Sequence, residues 1–113
     1  MNRADYIRAL LDLYCGLPDT AARKPFPPDR RLAAQLFDQG VPLYLAETAL
    51  LLASARRATR PPQGAPLAPI RSLAYFLPAI EELTEQPTDP GYLDYLRLRG
   101  DKMVKNSTDS GAR

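Results

Sequence analysis

Apolar residues recur along this chain on a helical period. Ile7, Leu10, Leu11 and Tyr14 fall at i, i+3, i+4 and i+7, which predicts a helix from about Arg3 to Tyr14. Asn2 can cap its first turn, where Asp5 suits the positive end of the dipole, and Gly16 and Pro18 end it. A loop rich in proline and basic residues, Leu17 to Pro28, leads to a second helix from Pro28 or Asp29 to Gln39. Leu32, Ala33, Leu36 and Phe37 mark its buried face, and Gly40 suits the position just past its end. Pro42 then opens a third helix, Leu43 to Arg57, which is apolar around most of its circumference (Leu45, Ala46, Ala49, Leu50, Leu52, Ala53) and so is expected at the centre.

Residues 59 to 69 hold four prolines and cannot be a helix interior. A fourth helix opens near the cap candidate Ser72, with Ile70, Leu73, Leu77 and Ile80 on its stripe and Leu83 close by. Pro78 stands inside that segment, so a kink is expected there, with the carbonyl of Ala74 crowded. Asp89-Pro90 introduces a short fifth helix from about Gly91 to Arg99, with Tyr92, Leu93 and Leu96 facing in and Tyr92 and Tyr95 clamping it to the body. Residues 101–113 are polar and aperiodic, and a disordered tail is expected there. The sum is an all-α domain over residues 1–100: a small orthogonal bundle of four to five helices containing a helix-turn-helix-like pair.

Composition agrees with helices. Leu and Ala fill 34 of 113 positions against five for Ile and Val, and β-branched residues are what strands favour. At 113 residues there is room for one core. There is no histidine and one cysteine, so a Ser-His-Asp triad, a Cys-His pair and a His-ligated zinc all lack parts. Glu81 and Glu82 are neighbours and diverge on a helix, and no glycine-rich phosphate loop occurs. Cys15, with no histidine to activate it, reads as a small packing residue. Neither catalysis nor a cofactor, metal or small-molecule substrate is expected. A lone cysteine fits a reducing cytoplasm, the charged N-terminal stretch is unlike a signal peptide, and no apolar run is long enough for a membrane span.

Charge is more informative than composition. Net charge is only +2, but 12 of 15 basic residues are arginine, the side chain best shaped for phosphate or carboxylate. Arg56, Arg57, Arg60 and Arg71 occur with no acid between Thr48 and Ile80. Arg23, Lys24, Arg30 and Arg31 form a second group offset only by Asp29, while Glu81, Glu82, Glu85 and Asp89 gather elsewhere. If the basic groups share a face, nucleic acid is the natural ligand, DNA ahead of RNA, with an acidic protein surface as the alternative. Arg56 and Arg57 also have a plainer explanation, because cations suit a helix C-terminus. Tyr75 or Phe76, beside Arg71, could contact bases. The turn Gln39-Gly40-Val41-Pro42 gives the second and third helices helix-turn-helix spacing. As a reading helix the third would offer Tyr44, Glu47, Thr48 and Leu51, a poor set for base edges.

From about Asp29 to Leu83 the chain resembles the helical DNA-binding domains of DnaD-type bacterial replication-initiation and primosome proteins. The likeness lies in an amphipathic helix, a central apolar helix ending in basic residues, and Arg71-Ser72-Leu73-Ala74-Tyr75 followed by Phe76, Ile80 and Leu83. Leu83 stands nearest the position of that family's terminal Trp. In style the chain is also similar to small helix-turn-helix proteins of bacterial mobile elements. The resemblance implies a non-catalytic accessory role in DNA replication or transposition alongside a larger protein partner. An interaction adaptor that docks on a larger assembly is the other expectation.

Overall fold

A computed structural model describes residues 1–18, 20, 24–59, 67–89 and 91–99. In chain order these form α1 (Arg3–Cys15), α2 (Pro27–Asp38), α3 (Leu43–Ala58), a 3₁₀ turn (Leu73–Phe76) and α4 (Leu77–Glu85), followed by a last helix, α5, at residues 91–99. The described residues contain no strand, only one isolated parallel bridge between Thr20 and Ile70. The fold is all-α. Arg23, Arg60, most of the proline loop and the tail at 101–113 lie outside the described residues.

The helix ends follow local chemistry. The Asn2 side chain accepts from the Asp5 N–H at 2.8 Å and caps α1. Gly40, φ +79°, follows the C-cap residue of α2, Gln39, in the left-handed region, where a side chain would be strained. Tyr6 then latches α1 onto this turn: its hydroxyl donates to the Val41 carbonyl at 2.8 Å, and its ring meets Phe37 edge-on.

α1 packs against both α2 and α3, and α4 packs against α3. Tyr14, Phe76, Leu10, Leu50 and Leu73 are wholly buried at the junction of these elements. Each such aliphatic side chain contributes roughly 1.5–3 kcal/mol by leaving water. The Tyr14 hydroxyl is buried with no hydrogen-bond partner, and burial, with Asp29 nearby, pushes its pKa up to about 12. Tyr14 therefore works as an apolar ring, set edge-on to Phe76 with centroids 6.1 Å apart.

Two expectations are corrected. Pro78 does not kink a continuous helix. The segment from Leu73 to Phe76 winds as 3₁₀, and the α-helix starts only at Leu77, which places Pro78 in a first turn, where its missing N–H costs nothing. The Leu77 N–H donates to the Ala74 carbonyl three residues back, so the carbonyl that an α-helix would crowd is satisfied early. Tyr95 is no clamp: it is 51% exposed and stacks on Tyr92. Leu93 and Leu96 hold α5 instead, both buried.

Candidate nucleic-acid interface

The N-terminus of α2 is built around a buried acid. Pro27 and Pro28 fix the first turn and bring no N–H groups that need partners. Phe26 precedes them in extended backbone, and its carbonyl accepts from the Asp29 and Arg30 N–H groups at 2.9 and 3.3 Å. Asp29, 2% exposed, turns its carboxylate inward. One oxygen, Oδ2, accepts from the Phe26 N–H at 3.1 Å, which is half of a capping box. The other, Oδ1, accepts from the Leu73 N–H at 3.0 Å, 44 residues along the chain. A buried charge persists only when hydrogen bonded, and here both oxygens are occupied by backbone groups.

This clasp joins two basic groups that the numbering separates. Arg30 and Arg31 follow Asp29 directly, Arg71 stands two residues before Leu73, and Lys24 stands two before Phe26. All four side chains are exposed. Among the described residues none is tied to a carboxylate. Phe26, at the same corner, is 58% exposed although its backbone is held at both ends.

The C-terminus of α3 is organised differently. Arg56 forms a two-pronged pair with Glu82 of α4, at 3.0 and 2.8 Å. That pairing raises the Arg56 pKa and lowers that of Glu82, in each case chiefly through the hydrogen bonds. The acidic group around Glu82 thus reaches back onto the basic one. Arg57 lies against the segment that precedes the 3₁₀ turn and against Tyr75. It donates to the Ala68 carbonyl at 2.8 Å and to the Tyr75 hydroxyl at 3.3 Å, and lies over the Tyr75 ring, 5.4 Å from its centroid. Ala53, Leu67, Pro78 and Ala79 join these three side chains in an open groove of about 440 Å³.

The site residues expected from the sequence therefore divide. Lys24, Arg30, Arg31 and Arg71 lie, along the chain, within five residues of one of the two ends of the Asp29–Leu73 contact. Arg57 and Tyr75 touch each other at a second place, and Arg56 is diverted onto Glu82. Tyr75 is 45% exposed, but Phe76 is wholly buried against Tyr14 and cannot meet a base. A short turn joins α2 and α3, but each of them packs on α1 rather than chiefly on the other. Of the residues α3 would offer, Thr48 is buried with its hydroxyl on the Tyr44 carbonyl at 2.7 Å. Glu47 is gripped by Arg97 of α5 through two 2.7 Å hydrogen bonds. Cys15 is half-buried, and burial, with Asp29 and Asp12, raises its thiol pKa, the reverse of what a nucleophile needs.

Sequence reasoning missed Asp29, Phe26 and Arg97. The first had one local signal, an acid at the third position of a proline-started helix. Its bond to Leu73 and the Arg97–Glu47 pair depend on the closed fold, and the exposure of Phe26 has no periodicity to announce it. No helix among the described residues is long and apolar enough to cross a membrane. No family model, curated protein or solved structure matches this chain.

Proposed function

We propose that this chain is a non-catalytic nucleic-acid-binding accessory protein, of the kind that serves DNA replication or a mobile element in a bacterial cytoplasm. In this reading Lys24, Arg30, Arg31 and Arg71 hold phosphates. The observation that carries it is the Asp29–Leu73 hydrogen bond, which ties the segment bearing exposed Arg71 to the one bearing exposed Lys24, Arg30 and Arg31. Counting Asp29 against them leaves +3 among the described charges of residues 24–31 and 71, in a molecule whose net charge is +2. Arginine forks fit phosphate oxygens, and released counterions drive such binding. Arg57 and Tyr75 form a secondary contact, and Arg56, neutralised by Glu82, contributes little.

The test is a salt titration of binding to labelled single- and double-stranded DNA and RNA. Affinity should fall steeply and linearly with salt on logarithmic axes. The double variant Arg30→Ala/Arg31→Ala should flatten that slope by about two, one per lost phosphate contact, and Arg56→Ala should leave it nearly unchanged. Failure to bind any of the four at low salt overturns the reading. A second reading, an adaptor for a larger protein, rests on the last helix. There α5 exposes Tyr95 at 51% and Leu98 at 63%, apolar surface that a partner could cover.

A further inference from the structure

We infer that the ligand of this corner is an unpaired strand, and that Phe26 is the residue that recognises it by stacking on a base. The inference rests on the phosphate-binding reading above and adds the class of nucleic acid to it. Exposing an aromatic ring is unfavourable in water, and Phe26 gains nothing from the core: it is 58% exposed, whereas Phe76 is fully buried and Phe37 packs partly against the core. Its backbone, by contrast, is fixed. The N–H is held by Asp29 and the carbonyl by two amides of the first turn of α2, with Pro25 before it and Pro27 after it. A ring on an immobile backbone loses little entropy on binding.

The surroundings supply the rest of such a site. Arg30 is one helical turn on from Phe26, its own N–H donating to the Phe26 carbonyl. Arg31 and Lys24 flank the same turn, and Arg71 is brought to it by the Asp29–Leu73 bond. An exposed apolar ring on a segment that also carries exposed cations, none with an acidic partner among the described residues, is the combination that suits single strands: phosphates meet the charges, and any base can offer its flat face to the ring. A paired duplex has its bases stacked on each other and offers the ring nothing comparable. The chemistry is shared by single-stranded DNA and RNA, and the arms below separate them.

Three variants and four probes test this. Wild type, Phe26→Ala and Phe26→Tyr are titrated, by fluorescence anisotropy at low salt, with a labelled 20-nucleotide DNA strand, its RNA equivalent, its duplex, and an abasic strand of the same length. Wild type should bind the based strands about ten-fold more tightly than the abasic one, and the better of DNA and RNA identifies the source. Phe26→Ala should remove that margin and leave abasic and duplex binding unchanged, and Phe26→Tyr should restore it. Thermal melts of each variant separate a stacking loss from misfolding. A wild type that binds based, abasic and duplex probes alike, or a Phe26→Ala variant that keeps its margin, overturns the stacking inference while phosphate binding stands. Absence of binding to every probe removes both.

Discussion

Arg30–Arg31 and Arg56–Arg57 look alike in the chain: two adjacent arginines on a helix, with few acids close by in sequence. The fold treats them in opposite ways. Arg56 meets Glu82 because α3 and α4 pack together, and Arg57 settles onto Tyr75 and the Ala68 carbonyl. Arg30 and Arg31 have an acid directly beside them, yet Asp29 points into the interior and spends its oxygens on two backbone N–H groups. Nearness in sequence to a carboxylate therefore does not decide whether a guanidinium is available. What decides it is where that carboxylate is needed.

The largest effect should come from the clasp itself. Asp29→Ala leaves the buried Leu73 N–H without an acceptor and removes the cap of α2. It should cost about 3 kcal/mol in urea denaturation, from the buried hydrogen bonds lost and the desolvated group left unpaired. Asp29→Asn, which keeps one acceptor oxygen, should cost less. Next in size, Arg30→Ala/Arg31→Ala should weaken binding to a single strand by ten-fold or more with unfolding unchanged, since both side chains are exposed and have no acidic partner among the described residues. The same binding assay on Arg56→Ala should move by less than two-fold, and an equal effect there would erase the contrast between the two pairs.

Stability should respond at the other end of the comparison. Tyr75→Ala takes away the ring beneath Arg57 and should destabilise by about 0.5–1 kcal/mol, whereas Tyr75→Phe, which keeps the ring face, should cost a fraction of that. The smallest effect concerns Glu82. Its folded pKa is lowered by Arg56, so the stabilisation is present above the ordinary carboxylate value of 4.5 and is lost as pH falls through the lowered one. The melting temperatures of wild type and Glu82→Gln should differ slightly near neutral pH and converge in acid. A gap that persists in acid would show that the pair is not what separates them.

Much of the fold was legible because it is set by local rules. The stripe ending at Tyr14, the Asn2 cap and the left-handed Gly40 each depend on residues within a turn or two, and each is where the pattern puts it, except that Tyr6 rather than Ile7 is the buried residue that opens the stripe. The handover at Leu77 was misread, because a proline within an apolar stripe looks like a kink until the preceding turn is seen to be 3₁₀. Phe76 and Tyr75 could not be told apart by period for the same reason, since a change of pitch rotates which of two neighbours faces in. The site was less legible than the fold. Its organising bond spans 44 residues, and its aromatic lies in a proline-rich stretch with no periodicity to mark it.

The arginine side chains can be watched directly. In an NMR titration with a short single strand, the Nε–Hε signals of Arg30, Arg31 and Arg71 should shift together and saturate, while that of Arg56, whose two Nη groups are held by Glu82, does not move. Shifts confined to Arg56 and Arg57, or none among the twelve arginines, would contradict the account.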